Sequence, residues 1–216
     1  MNTFTFWDIA RGLLLATRWT LLLSAIAFIG GGIGGSLLLV LRYNRLAPAK
    51  LVVTLYTELF QGTPLLMQLF LVFFGLPLLG ISVSPMLAAA VGLTLCASAF
   101  LGEIWRGCID AIPRGQWDAS ASLGMGFVSQ LRDVILPQAL LIALPPTVGF
   151  LVQLVKATAL TSIIGFVELT RTGDILSNAT FEPFLIYGLV AVIYFAICYP
   201  LTIFARTLER RLSVAG

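Results

Sequence analysis

The chain has 216 residues, of which 59% are hydrophobic and 11% are charged, and its mean hydropathy is +1.00. In soluble domains about a quarter of the residues are charged. This composition therefore excludes an ordinary soluble fold and predicts a protein embedded in a lipid bilayer. The net charge of +3 is too small and too dispersed to indicate nucleic-acid binding. Three cysteines without paired spacing and the lack of histidine argue against a disulfide framework and a metal site.

Long uncharged stretches predict an all-α polytopic membrane protein, with five transmembrane helices in a single domain of residues 1–216. Each span requires about 20 apolar residues. Residues 1–18 mix aromatic, acidic and basic side chains, which is typical of an interfacial amphipathic lead-in. The five helices are expected at Trp19–Leu41, Leu51–Leu76, Pro85–Trp105, Val134–Val155 and Pro183–Ala205. We expect Pro145 and Pro146 to bend the fourth helix.

A run of glycines lies in the middle of the first predicted helix. Gly30, Gly32 and Gly35 satisfy the dinucleotide-binding pattern G-x-G-x-x-G, but no strand flanks them. Small residues in a membrane helix instead allow a neighbouring helix to approach closely. The glycines therefore predict helix packing rather than phosphate binding.

The distribution of basic residues predicts the orientation of the helices. With the C-terminus in the cytoplasm, nine of the 13 lysines and arginines face the cytoplasm and four face outward. The cytoplasmic nine are Arg42, Arg45, Lys50, Arg106, Arg114, Arg132, Arg206, Arg210 and Arg211, and the outer four are Arg11, Arg18, Lys156 and Arg171. The positive-inside rule favours this arrangement, which places the N-terminus in the periplasm and residues 107–137 in the cytoplasm.

A polar stretch, Gly115–Pro137, separates the third and fourth predicted helices. Its pattern predicts a short helix, a glycine turn at Gly124 in the left-handed conformation, and a second short helix capped by Ser129. Pro137 would then open the fourth span at its first helical position. The stretch is either an ordinary connection or a docking loop, since its apolar side chains need a surface to cover them. Those side chains are Trp117, Leu123, Phe127, Val128 and Leu131.

Several motifs in this order resemble the permease subunits of bacterial ABC importers. Asp118-Ala119-Ser120, Gly124 and Ile135-Leu136-Pro137 stand where that family has its Glu-Ala-Ala, Gly and Ile-x-Leu-Pro signature. Segments similar to the polar amino-acid uptake branch are Glu58–Leu66, Glu103–Gly107, Ile112–Gln116, Leu136–Ala139 and Lys156–Leu160. The resemblance covers roughly residues 12–210.

The resemblance implies a type I ABC importer permease whose cytoplasmic loop docks into a cleft on a separate ATP-hydrolysing subunit. The residues implied in this coupling are Gly115, Gln116, Trp117, Asp118, Ala119, Ser120, Leu123, Gly124, Ile135, Leu136 and Pro137. Asp118 replaces the usual Glu, which keeps the negative charge on a shorter side chain. The milder change is Ser120, which replaces Ala.

The same resemblance implies the partners of the chain. They are two ATP-binding cassette subunits, a second permease subunit of the same or a related kind, an extracytoplasmic amino-acid-binding protein and membrane lipid. The sequence contains no G-x-x-x-x-G-K-[ST] phosphate loop, so the chain is not expected to be an enzyme. ATP and magnesium are expected on the partner subunits, with no cofactor or metal in this chain.

A substrate pathway is expected at membrane depth. Gln61-Gly62-Thr63-Pro64 is predicted to break the second helix, and broken helices expose backbone groups that hold polar solutes. Glu58 is expected some turns deep in the membrane, and Gln61 stands where the family usually has Arg. The candidate residues are Glu58, Gln61, Gly62, Thr63, Pro64, Glu103, Lys156, Thr158 and Glu168. For Glu103 an ion pair with Arg106, three positions later, is the alternative.

The stretch Lys156–Asp174 alternates charged with apolar residues. It predicts either a short helix tucked into the outer half of the bundle or a helix on the periplasmic surface. Ala157 and Ala159 depart from the Lys-Asp-Thr-Ser-Leu pattern of the family. Together these features predict import of a polar amino acid across the bacterial inner membrane by alternating access. An ion-coupled secondary transporter or a channel for small polar solutes is the alternative.

Overall fold

The computed structural model describes residues 5–43 and 47–213, and these residues form helices without strands. Arg45, one of the cations expected in the cytoplasm, and the first four residues of the expected lead-in lie outside the described residues. In chain order the helices are α1 (Phe6–Tyr43), α2 (Ala47–Gly62), α3 (Leu65–Leu78), α4 (Pro85–Asp110), α5 (Arg114–Ser122), α6 (Phe127–Ser162), α7 (Leu169–Thr180) and α8 (Pro183–Ser213).

Four of these helices are long and apolar enough to cross a membrane: α1, α4, α6 and α8. The pair α2 and α3 meets the same length and hydropathy criterion when taken together as one span, bent by 106° at a short break. The break falls between Gly62 and Leu65, so the prediction of five spans with an interrupted second one is confirmed. The ends of α4 and α8 extend beyond the predicted limits of Trp105 and Ala205.

The first helix differs from the prediction because it has no boundary at Trp19. Thr5 and Asp8 form a reciprocal cap, in which the Thr5 amide donates to Asp8 and the Asp8 amide donates to the Thr5 hydroxyl. This cap starts α1 at Phe6, and no Pro interrupts the helix before Tyr43. The described part of the expected lead-in is therefore the first turns of the transmembrane helix, and its residues Ile9 and Leu13 are buried.

The fourth span also starts earlier than predicted. Gly126, and not Ser129, occupies the N-cap position of α6, which then continues through Pro137 into the membrane. A helical Pro lacks an N–H group, and its ring collides with the carbonyl four residues earlier. The wider π turn at Gln130–Ile135 immediately precedes Pro137 and loosens this crowding, so the proline does not end the helix. The helix likewise continues past Pro145 and Pro146.

The helices α1 and α4 pack closely through small residues. An added Cβ at Gly31 would lie 2.5 Å from Cβ of Ala97, and one at Gly35 would lie 2.9 Å from the backbone nitrogen of Gly102. Both glycines are buried in this contact. The interpretation of the glycine run as a packing surface is thus confirmed.

Substitution of Gly31 by Ala should destabilise the protein by about 1–3 kcal/mol, because the added methyl group overlaps Ala97. Gly149→Ala is the matched control, since nothing lies within 4 Å of an added Cβ in that helix. We expect a lower thermal unfolding midpoint for the first variant in detergent and an unchanged or slightly higher one for the control. Equal midpoints for both variants would contradict this account of the packing.

Candidate functional site

The turn between α5 and α6 is a Schellman cap built on Gly124. The Met125 amide donates to the Ser120 carbonyl at 3.3 Å, and the Gly124 amide donates to the Ala121 carbonyl at 2.9 Å. Gly124 has a φ of +75°, a conformation that only glycine adopts without steric cost. The prediction of a left-handed glycine turn is confirmed, and this turn fixes the direction of α5 relative to α6.

Aromatic side chains hold α5 against the bundle. The rings of Trp117 and Phe127 are stacked with centroids 6.1 Å apart, and Phe127 lies 6.4 Å from the ring of Tyr43 at the end of α1. Trp117 and Leu131 also pack against a buried cluster of Ile109, Ile112, Ile135 and Ala139. These two apolar side chains are therefore partly buried by the chain itself.

The other predicted coupling residues divide into an exposed and a covered set. Leu123 is 81% exposed and Val128 is 74% exposed, which leaves an apolar edge on both sides of the glycine turn. Ser120 is buried and donates to the Trp117 carbonyl at 2.8 Å, while Ile135 is fully buried. The exposed residues on and after α5 are Gly115, Gln116, Asp118, Ala119, Leu123, Gly124 and Pro137, and Leu136 is partly covered. The exposed set is not covered by the rest of the described chain.

A network of charged side chains joins α1 to α4 beside this turn. Both oxygens of Glu103 accept from arginines, at 3.1 Å from Arg42 Nη1 and 2.8 Å from Arg106 Nε. Arg106 also pairs with Asp110 at 2.6 Å, and Tyr43 donates to Asp110 at 3.2 Å. The geometry favours the structural ion pair for Glu103 over a substrate contact. Through Tyr43 the network is continuous with the aromatic stack.

The break between α2 and α3 is held by a residue that sequence reasoning missed. Nε2 of Gln68 donates to the carbonyls of Phe60 at 2.8 Å and Thr63 at 3.1 Å, and so bridges the two helices. Gln68 is buried, and its Oε1 atom has no partner among the described residues. The sequence signal that could have predicted this role is the single amide side chain within the apolar run Leu65–Phe70.

The predicted residues of the broken helix lie at its surface. Gln61 is exposed, and its amide donates to the Ala99 carbonyl at 3.3 Å. The Thr63 hydroxyl donates to the Leu59 carbonyl at 2.7 Å. Glu58, Gly62 and Pro64 are exposed, so the carboxylate of Glu58 is not enclosed within this chain. The polar side chains of Glu58, Gln61 and Thr63 are thus all exposed on and beside the break.

Glu168 is fully buried and begins α7. Its Oε1 atom accepts from the Arg171 amide at 2.9 Å, and its Oε2 atom accepts from the hydroxyls of Thr20 at 3.2 Å and Tyr194 at 3.0 Å. The carboxyl group thereby joins α1, α7 and α8. Burial raises the pKa of Glu168 above its usual value, although the hydrogen bonds partly oppose this shift.

The segment around Glu168 is tucked against the bundle, as the first of the two alternatives predicted. Leu169 is fully buried, in a cluster with Leu13 and Ile186, and an added Cβ at Gly173 would lie 2.8 Å from Val190. Lys156 is exposed and Thr158 is buried, donating to the Val155 carbonyl at 2.7 Å. No hydrogen bond or ion pair between described residues joins Glu168 or Lys156 to the polar region at the broken helix.

Comparisons with known proteins support one family. Residues 31–214 match the family described as "Binding-protein-dependent transport system inner membrane component". The chain is 36% identical over 193 residues, 89% of this chain and 85% of the other, to the probable amino-acid ABC transporter permease protein YckA of Bacillus subtilis (strain 168). It is 34% identical over 210 residues to the L-cystine transport system permease protein TcyB of the same organism, covering 97% of this chain and 88% of the other.

The fold is also shared with a solved structure. A chain from a crystal structure of an amino acid ABC transporter with histidines superposes with a TM-score of 0.92 and 32% sequence identity. The superposition covers 98% of this chain and 99% of the other.

Substitution of Glu168 by Gln should remove part of the pH dependence of stability. The folded-state pKa of Glu168 is raised above 4.5, so the folded protein binds this proton more tightly than the unfolded chain does. Wild-type stability therefore falls as pH rises from about 4.5 through the folded pKa. Gln cannot ionise, so the decline in unfolding midpoint over this range should be smaller in the variant. Glu182→Gln, at an exposed acid, is the control. A decline as steep in Glu168→Gln as in the wild type would contradict the assignment.

Proposed function

Because the chain belongs to the family of binding-protein-dependent transport system inner membrane components, we propose that it moves a polar amino acid through an ATP-driven importer. The chain is a permease subunit of an ABC importer. The amino-acid substrate is proposed from the relatives, which are an amino-acid permease and an L-cystine permease. The observation that carries the proposal is the exposed helix α5 and its glycine turn between two membrane spans.

The proposed mechanism is alternating access driven from α5. An ATP-hydrolysing subunit grips the exposed face that contains Asp118 and Leu123, and its closure displaces α5. The displacement reaches α6 through the stacked rings of Trp117 and Phe127, and it reaches α1 through Tyr43. Because each contact joins packed rings, α5 moves together with the membrane helices rather than sliding over them.

The assembly that fits this mechanism contains two ATP-binding cassette subunits, a second permease subunit and an extracytoplasmic amino-acid-binding protein. ATP and magnesium are bound by the cassette subunits. We place the C-terminus and residues 107–137 in the cytoplasm and the N-terminus in the periplasm, on the distribution of basic residues. The family and the relatives favour this assembly over a secondary transporter or a channel. Purification of the tagged chain should yield an ATPase, and purification without one would contradict the proposal.

The proposed substrate pathway follows the break between α2 and α3. Its support is the exposed polar region of Glu58, Gln61 and Thr63 beside a sharp interruption of a membrane helix. Backbone groups at such interruptions can hold a polar solute at membrane depth. Glu103 and Glu168 join different helices in this conformation, so their proposed role is to position the walls of the pathway. Thr158 is buried and bonds within its own helix, and its proposed role is to shape the same wall.

Substitution of Gly124 by Val should uncouple ATP hydrolysis from transport. A β-branched residue at a φ of +75° costs about 1–2 kcal/mol, which reorients the turn although space for the side chain exists. We expect transport per ATP hydrolysed in proteoliposomes to fall by up to about tenfold, while membrane insertion is retained. Gly126→Val is the control, because Gly126 has a φ of −69° and an extended backbone that suits Val. Loss of insertion in Gly124→Val would show that the turn is needed for folding instead.

Substitution of Gln61 or Glu58 by Ala should change transport and substrate-stimulated ATP hydrolysis while the subunits still assemble. Each change removes a polar group from the proposed pathway at an exposed side chain. Glu58→Ala removes no hydrogen bond between described residues, whereas Gln61→Ala also removes the bond to the Ala99 carbonyl, so the thermal unfolding midpoint of that variant is measured alongside. The measurement is uptake and ATPase activity of the purified complex in proteoliposomes. Glu209→Ala, at an exposed acid near the end of α8, is the control for a lost carboxylate. Unchanged activity in both pathway variants would refute this route.

A further inference from the structure

A cleft of about 450 Å³ lies between the first third of α1, the start of α4 and the segment that leads into α7. Its walls include Leu15, Met86 and Val167, and Leu15 and Val167 are half exposed. Arg18 also lines the cleft and is exposed. The cleft is therefore an apolar opening with one cationic side chain at its edge.

Two aromatic contacts fix the position of this cation. The guanidinium of Arg18 lies over the ring of Trp19, 5.4 Å from its centroid, and Trp19 in turn meets Phe166 edge to face at 6.5 Å. The stack limits the freedom of the guanidinium but leaves its N–H donors unused. None of the ion pairs between described residues includes Arg18. An arginine held in this way is preorganised to donate to an anionic oxygen acid, whose geometry matches the guanidinium fork.

The position of the cleft along the membrane normal indicates that its ligand comes from the membrane. Arg18 precedes Arg42 by roughly two dozen residues on one uninterrupted helix, a separation of about 36 Å. The hydrocarbon core of a bilayer is about 30 Å thick, so the two arginines lie at the opposite headgroup layers. Trp19 occupies the same layer as Arg18, as is usual for interfacial tryptophans. At that level the apolar walls face acyl chains and the guanidinium faces lipid phosphates.

We propose that this cleft is a binding site for an anionic phospholipid. The phosphate accepts hydrogen bonds from Arg18, the first part of an acyl chain lies along Met86 and Val167, and Leu15 contacts the headgroup region. Because the walls come from α1, α4 and the segment before α7, a bound lipid connects these elements on the membrane face opposite Arg42. The site shares no residue with α5 or with the broken helix.

Native mass spectrometry of the purified complex with added phosphatidylglycerol tests the proposal. One arginine near a lipid headgroup changes the affinity for an anionic lipid by about fivefold. We expect Arg18→Gln to bind phosphatidylglycerol about fivefold more weakly than the wild type and Arg18→Lys to recover part of the loss. Arg11→Gln is the matched control, an exposed arginine on the same helix that does not line the cleft, and it should bind as the wild type does.

Each other outcome contradicts the proposal. Equal weakening in Arg11→Gln and Arg18→Gln would show general attraction between charges, and equal binding of phosphatidylcholine would show that anionic charge is irrelevant. If inorganic phosphate at the same concentration displaced the lipid only from proteins with Arg18, the ligand would be a free anion. Should Arg18→Gln leave lipid binding intact but weaken capture of the extracytoplasmic binding protein, the cleft would be a protein contact. Unfolding midpoints of the variants report whether each one is folded.

Discussion

The close contact of α1 with α4 is the constraint on which the remaining structure depends. At Gly31 and Gly35 the two helices are so close that a single added methyl group would overlap the opposite helix. At this separation Arg42 on one helix pairs with Glu103 on the other. The same contact sets Tyr43 beside Asp110 and Phe127, so the coupling turn is anchored to a helix pair that small side chains have drawn together. Van der Waals packing, rather than a hydrophobic driving force, is what holds such pairs in lipid.

Much of this architecture could be predicted because it depends on local patterns. Uncharged stretches predicted the number of spans, and the single residue Gly124 predicted the left-handed turn. The polar break in the second span was also predictable, since Pro64 cannot continue a helix that Gly62 has already weakened. Helix ends were less predictable. Pro137 suggested the start of a helix, but the preceding π turn let one helix run through it.

Contacts between distant residues account for what could not be predicted. Glu168 looked accessible to a solute, yet it accepts hydrogen bonds from Thr20 and Tyr194, which are far away in the chain. The role of Gln68 was not predicted, because its neighbours in the sequence are apolar. Its hydrogen-bond partners come within reach only in the folded chain, where the helix breaks at Thr63. Trp117 and Leu131 were expected to need a surface to cover them, and tertiary packing within the chain supplies part of that surface, while Leu123 and Val128 form the exposed edge.

Because α6 is one continuous helix, its length determines how far a small tilt at one end displaces the other end. Its 36 residues span about 54 Å, from the turn at Gly126 to the segment that precedes Glu168. A rod of that length, tilted by about 5° around one end, carries its other end through about 5 Å. That distance is close to one turn of helix, enough to exchange one row of side-chain neighbours for the next. A modest tilt at one membrane face would thus be amplified into a change of register at the other.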